Sequence, residues 1–381
     1  MQKKLQLLLA LLAFVVTSAM AQITTSGISG KISSNGETVI GATVTATHQP
    51  SGTVYRAVTN VDGRYTIQGM RPGGPYKVSI SYIGYKDKVF NNVSLSLGET
   101  ENISCSLQED AHQLQEVVVS GKAGLAASRT GAATSMTAEQ INNMPSITHG
   151  IADVARLNPQ LTVTNSGNMS FAGTNNRYNN FMIDGAANND VFGLASSGNN
   201  GGQAGAQPVS METIEQIQVS VAPFDVRQSG FTGGAINAIT KSGTNKFHGS
   251  AYYYGYNQDL IGTKYPYLDG TGYAPKYQKQ TQYNMGVTLG GPIIKNKLFF
   301  FANYERTNKE YPNLYGVDSG NSKVNTEQAK DILTMLQKMA EKQGVAFNDY
   351  FSNQDIYTKS DKAGLKLDWN INEFNKFAIR W

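Results

Sequence analysis

Tyr283-Asn-Met-Gly-Val-Thr-Leu-Gly290 and Ala363-Gly-Leu-Lys-Leu-Asp-Trp369 are the stretches that decide the fold. In the first, Tyr283, Met285, Val287 and Leu289 alternate with Asn284, Gly286, Thr288 and Gly290. In the second, Leu365, Leu367 and Trp369 alternate with Gly364, Lys366 and Asp368. Phe377, Ile379 and Trp381 repeat the pattern around Ala378 and Arg380. Side chains alternate between the two faces of a strand, so each stretch has one apolar and one polar or small face. Strands of about ten residues with that pattern suit a transmembrane β-barrel, apolar toward lipid and polar toward the lumen. Tyr252, Tyr254 and Tyr256 share one face, and Phe300, Ala302 and Tyr304 another, as aromatic girdles require.

Connection lengths point the same way. A strand over about Phe247 to Asn257 is joined to one over Gln282 to Gly291 by a long tyrosine-rich loop. The next connection is tight, around Lys295-Asn296-Lys297. A long segment, Asn308 to Lys359, precedes the fourth strand, and a short turn, Asn370 to Glu373, precedes the fifth. Long alternating with short matches barrels with long external loops and short periplasmic turns. The second long loop should hold a helix over Glu327 to Gln343. Asn325 is its N-cap, Gly344 its stop, and Ile332, Leu336 and Met339 its packing face. About five strands cannot close a barrel, and a plugged barrel has about 22. The alternation still runs at Trp381, so the sequence reads as the first portion of a longer protein.

Composition agrees. Charged residues are only 16% of the 381, with 39 Gly, 20 Tyr and 15 Phe, which suits a turn-rich β protein better than a helical enzyme. No Lys/Arg run exceeds two residues, so no nucleic-acid partner is expected. Lys3 and Lys4, the apolar Leu5 to Val16 and Ala19-Met20-Ala21 form a signal peptide cleaved between Ala21 and Gln22. The four histidines (His48, His112, His149, His248) lack metal-ligand spacing, and no cofactor or metal site is expected. With Cys105 as the only cysteine, no intrachain disulfide can form, and a packing role is expected for it. No G-x-S-x-G elbow occurs, and Gly201, Gly202 and Gly205 lie in an Asn-rich loop. No catalytic residue is assigned.

From Ile23 to Glu109 short strands alternate with turn signals, Asn35-Gly36 and Asp62-Gly63 above all. Tyr65 and Ile67 share a face, as do Tyr76, Val78, Ile80 and Tyr82. The phrases Gly27-Ile-Ser-Gly-Lys31, Gly41-Ala-Thr-Val-Thr45, Asp62-Gly-Arg-Tyr-Thr-Ile67, Pro75-Tyr-Lys-Val-Ser79 and Gly84-Tyr85 occur in order. Together they resemble the carboxypeptidase regulatory-like domain, which implies a transthyretin-like β-sandwich serving as an accessory module.

Next comes Leu114-Gln115-Glu116-Val117-Val118-Val119, followed by Ser120-Gly121. Three consecutive valines are strand-prone. In a polar linker such a segment can add itself to the edge of another protein's sheet, through backbone hydrogen bonds of roughly 0.5–1.5 kcal/mol each. A last sandwich strand is the other reading of the same valines. The segment resembles the TonB box of TonB-dependent receptors, which implies a TonB-type energy-coupling protein as its partner.

After Ala123 short helices are expected over Ala138 to Asn143 and Gly150 to Leu157, stopped by Asn158-Pro159. Strands are expected over Met169 to Ala172, Tyr178 to Ile183, Ile214 to Val221 and Ala235 to Thr240. Asn179-Asn-Phe-Met-Ile-Asp-Gly185, Ile214-Glu-Gln-Ile-Gln-Val219 and Gly233-Gly-Ala-Ile-Asn-Ala-Ile-Thr-Lys241 resemble the plug domain of the same receptors. Asp184 itself reads as part of an Asp-Gly turn. In place of the usual Arg-Gly-Pro phrase stands Ser220-Val-Ala-Pro-Phe-Asp-Val-Arg227, which points to the Oar-like subgroup.

The expected order is therefore a signal peptide (1–21), a carboxypeptidase regulatory-like sandwich (22–110), a linker with the TonB-box-like segment (111–122), a mixed α/β plug (123–245) and the start of an antiparallel transmembrane barrel (246–381). The fold class is mainly β. The resemblance implies a barrel in outer-membrane lipid, with the sandwich and linker in the periplasm. Its implied function is energy-coupled uptake of an extracellular solute, gated by the plug. A surface barrel that binds partners without transport is the alternative.

Overall fold

The computed structural model describes residues 23–109, 117–119, 132–146, 149–164, 169–195, 197–221, 231–260, 279–313, 317, 325–347, 355–373 and 375–381. The signal-peptide cleavage pair Ala21 and Gln22, and Leu114, Gln115 and Glu116 of the TonB-box-like segment, lie outside them.

Seven labelled strands make up the first part: β1 (Ser26–Ser34), β2 (Thr43–His48), β3 (Thr53–Val58), β4 (Arg64–Met70), β5 (Gly73–Ser81), β6 (Lys88–Leu95) and β7 (Val117–Val119). β1 pairs antiparallel with β4, and the short strands Thr100–Asn102 and Cys105–Ser106 run parallel to β1. The second sheet has the order β7-β6-β5-β2-β3. Between the sheets Ile28, Ile32, Val44, Ala46, Tyr65, Ile67, Tyr76, Val78 and Ile80 form an apolar core. Their period of two is the expected one: one face of each strand is buried and the other is solvated. Tyr82 ends the row half-buried. Asn35 and Gly36 both take positive φ in their turn (50° and 89°), which is why those residue types stand there.

The plug sheet has β8 (Ala132–Thr137), β9 (Asn180–Ile183), β10 (Ile214–Val221) and β11 (Gly234–Thr240), in the order β8-β10-β11-β9 with the short Ala186–Ala187 at the edge. β10 pairs antiparallel with β8 and β11, and β9 runs parallel to β11. Helix α1 (Ala138–Asn143) starts at a capping box of Thr137 and Gln140, and α2 (Ile151–Ala155) starts after Gly150. The second helix ends before Leu157, earlier than expected, and Met169–Phe171 pairs with Leu161–Val163. Tyr178 belongs to a 3-10 turn rather than to β9. Here Asn175 caps the turn by accepting from the Arg177 N–H, which competes with strand formation.

Five further strands, β12 (His248–Asn257), β13 (Thr281–Ile294), β14 (Leu298–Pro312), β15 (Asp355–Asn370) and β16 (Lys376–Arg380), form one sheet in chain order. β15 and β16 pair antiparallel. Met285, Val287 and Leu289 are exposed, while Gly286 and Gly290 on the opposite face are buried. β13, β14 and β15 are longer than the sequence suggests, so the connection from β14 to β15 spans only residues 313–354.

The chain divides into two compact units. The first is Met1–Ser250 with Thr288–Asn303 and Gly364–Trp381. The second is Ala251–Val287 with Tyr304–Ala363. Within the second, Glu305 takes an ion pair from Lys362 and a hydrogen bond from Tyr252, and Tyr304 donates to Asp361. It also holds helix α3 (Thr326–Gln343), with the expected Asn325 cap and Gly344 stop. Its inward face is Ala329, Leu333, Leu336 and Ala340; Ile332 and Met339 point outward, which corrects the expected stripe.

Candidate plug-anchoring and coupling site

The plug strand β9 ends in the Asp184-Gly185 turn, where both residues take positive φ (47° and 83°). The turn turns the Asp184 carboxylate back onto β11. It accepts from the Thr240 N–H at 2.8 Å and from the Thr240 hydroxyl at 2.5 Å. Arg380 Nη1 donates to the same carboxylate at 3.1 Å, and Lys366 Nζ lies 3.7 Å away. Lys366 also donates to the Thr240 carbonyl at 3.0 Å. One partly buried carboxylate thus ties the plug edge to β15 and β16. Hydrogen bonds to charged groups contribute about 1.5–3 kcal/mol each, so the joint is firm but can be exchanged for water.

A second joint lies on the plug face formed by Gln216 and Gln218 of β10 and Asn237 and Ile239 of β11. Gln216 accepts from the Leu97 N–H at 2.7 Å, and Gln218 donates to the Leu97 carbonyl at 2.8 Å. Asn237 donates to the Ile23 carbonyl at 2.6 Å. Three buried amides therefore satisfy sandwich backbone groups that would otherwise be stranded. Ile23, Leu97 and Ile239 form the small apolar cluster beside them.

A cavity of about 480 Å³ lies where these parts meet. Arg71 of the sandwich pairs with Asp368 of β15 at 3.5 Å, and the Lys376 ammonium sits 3.5 Å above the Tyr55 ring. Thr53 and Pro50 bond Asn370 and Asn245. Arg71, Asp368, Lys376, Asp184, Lys366 and Arg380 on this wall all face partners. Burial, with Arg71 nearby, lowers the His48 pKa to about 3, and its Nδ1 contacts the Ser51 hydroxyl. Burial pushes the Cys105 thiol up to about 11, against the pull of Lys88, so it stays a packing residue. Among the described residues no cluster of three His, Cys, Asp or Glu could hold a metal.

Of the TonB-box-like segment, Val117–Val119 is described, and it is the edge strand β7 of the sandwich sheet. It runs parallel to β6, with Val117 opposite Lys88, Val118 opposite Val89 and Val119 opposite Phe90. Sequence reasoning missed the anchoring by Asp184, which had been assigned only to a turn, and the amide face. No local signal marks the latter: Gln216, Gln218 and Ser220 alternate with Ile217, Val219 and Val221 as in a strand with one solvated face, and only the tertiary fold buries both faces.

Comparison with known proteins fits this layout. Residues 27–108 match the carboxypeptidase regulatory-like domain family, residues 126–236 the TonB-dependent receptor plug domain, and residues 239–319 an outer membrane beta barrel domain. The chain is 29% identical to the TonB-dependent transporter Oar of Myxococcus xanthus over 68% of its own length and 24% of that protein. It is 25% identical to a probable TonB-dependent siderophore receptor PirA of Acinetobacter baumannii over 45% of its length and 22% of that protein. A solved outer membrane transporter, YddB of Escherichia coli, aligns with 63% of this chain and 31% of its own, at 16% identity and a TM-score of 0.43. The chain thus spans about a quarter of the length of the curated relatives it matches. The exposed apolar row Met285, Val287 and Leu289 is accordingly the lipid face of an outer-membrane barrel strand.

Proposed function

From a chain that carries a TonB-dependent receptor plug between a carboxypeptidase regulatory-like domain and outer-membrane barrel strands, we propose a plug-gated outer-membrane receptor that takes up a solute using energy supplied from the periplasmic side. The observation that carries the reading is how the plug is held. Its edge is tied by Asp184 to Lys366 and Arg380, and its amide face by Gln216, Gln218 and Asn237 to backbone of the sandwich. Polar contacts of this kind trade partners with water at modest net cost, whereas an apolar interface would have to be exposed whole. A gate needs contacts of the first kind.

Energy enters through Leu114, Gln115, Glu116, Val117, Val118 and Val119. Their support is position and chemistry: they lie between the residues matched to the sandwich and those matched to the plug. They also include a strand-forming triplet able to join a partner's sheet edge. A TonB-type energy-coupling protein takes this strand, and tension passes along residues 120–131 to the plug. Solute meets the extracellular loops and the plug, and passes when the plug's polar joints open.

The test is capture. A peptide covering Leu114 to Gly121 should retain the periplasmic domain of the TonB-type protein on a resin. The same peptide with Val118→Pro, which lacks one backbone donor and breaks the strand, should not. No retention by the native peptide would overturn the coupling assignment and leave a surface barrel that only binds.

A further inference from the structure

The described part of the coupling segment is already paired. β6 bonds β5 along one side, so its other side is an edge with unmet backbone donors and acceptors. β7 covers that edge in parallel register over Val117, Val118 and Val119. The chain also passes close to the start of β6 before it reaches β7. The Lys86 N–H donates to the Gln108 carbonyl at 2.9 Å, and Tyr85 and Glu109 form an antiparallel bridge just before β6 begins. Only residues 110–116 separate that bridge from Val117. A tether this short gives the segment a high effective concentration at its own sandwich.

We propose that the free edge of β6 is a storage site for the coupling segment, so that the energy-coupling partner gains Val117–Val119 only when the strand leaves the sandwich. The proposal rests on the coupling assignment above and adds its regulation. The backbone groups β7 gives to β6 are half of those a strand can offer, and a pull on a docked β7 would load the sandwich before the plug. Release must therefore come first. Three residues of parallel pairing make a weak hold, because parallel ladders are slightly less stable per residue and few bonds are involved. The stored state should lower the partner's apparent affinity by roughly tenfold to a hundredfold, the inverse of the released fraction.

Two measurements on the full chain in outer-membrane vesicles or detergent test this. Those backbone amides of Val117–Val119 that point at β6, alternate ones along the strand, should exchange with solvent about ten to a hundred times more slowly than free chain. Exchange at the free-chain rate overturns storage. Second, Lys88→Cys with Val117→Cys, in a Cys105→Ser background, places two thiols on adjacent strands. Strand spacing of about 4.8 Å lies within the Cα separations that disulfides span. The oxidised protein should bind the purified periplasmic domain of the TonB-type protein at least tenfold more weakly than the same protein after dithiothreitol. Equal binding before and after reduction, or failure of the pair to oxidise, overturns storage. The two failures are distinct. If the coupling assignment is wrong, the peptide captures nothing while the amides stay protected. If storage is wrong, the amides exchange freely while capture persists.

Discussion

The sandwich and the plug are both mostly strands, yet they bury them differently. In the sandwich, burial alternates along each strand, as in β5, where Tyr76, Val78 and Ile80 face the core and Lys77 faces out. In the plug, β11 is buried at every position from Gly234 to Thr240, and β10 nearly so. One face, with Ile217, Val219, Ile236 and Ala238, joins the plug's own apolar core. The other carries Gln216, Gln218 and Asn237, which bond sandwich backbone, and Ile239, which packs on Ile23 and Leu97. The sandwich core is therefore its own, while one face of β10 and β11 is covered by residues from outside the plug, through three amide hydrogen bonds and the small Ile23, Leu97 and Ile239 cluster. On the proposed gating, the plug's apolar core survives when this second face lets go.

The sharpest way to break this contrast is at Tyr76, which is fully buried and donates to the Arg71 carbonyl. Tyr76→Ala should cost the sandwich about 3–5 kcal/mol. Amide exchange would show its strands unprotected while β8 and the core face of the plug keep their protection. Loss of plug protection to the same extent would mean one shared core. Next is Asp184→Ala, which strips Lys366 and Arg380 of their carboxylate. It should lower plug stability by about 2–3 kcal/mol in denaturant titration, and leave the sandwich unchanged.

A pH titration sharpens the comparison further. The folded pKa of His48 is about 3 against an unfolded value of 6.5, so the folded sandwich binds fewer protons than the unfolded chain between those values. Stability is full above pH 6.5 and falls with acidification by up to about 1.4 kcal/mol per pH unit until pH approaches 3. His48→Asn should flatten that slope; an unchanged slope would assign it to other groups. The smallest effect belongs to Arg56 and Glu373, an ion pair more than half exposed on both sides. Arg56→Ala should shift the melting temperature by less than the equivalent of about 0.5 kcal/mol.

The barrel strands and the sandwich were legible in the sequence because their signals are local. Alternation of period two, as in Tyr283 to Leu289, marks a face wherever that face lies, and Asn35-Gly36 marks a turn by its φ requirement alone. The plug was legible in its element order but not in its contacts. Asp184 satisfies a turn and an anchor at once, and the turn is the local part; Lys366 and Arg380 lie far along the chain. The three valines illustrate the same limit. Their strand propensity is local, but which edge they join depends on β6 being open, a fact of the tertiary fold. The stripe on α3 keeps Leu336 but has Leu333 and Ala340 where Ile332 and Met339 are expected, because Ile332 and Leu333 are both apolar. Periodicity alone could not say which of them faces Ala329.

Coupling through the linker is tested most directly by growth of a strain in which only Leu114 to Ser120 is removed from the protein. A complete deletion strain, grown on a panel of nutrient sources, first identifies the nutrient whose use depends on the receptor. If the linker carries the coupling, the short deletion reproduces that defect in full while the protein remains in the outer membrane and still binds the nutrient at the cell surface. Growth equal to the unaltered strain on that nutrient would contradict it.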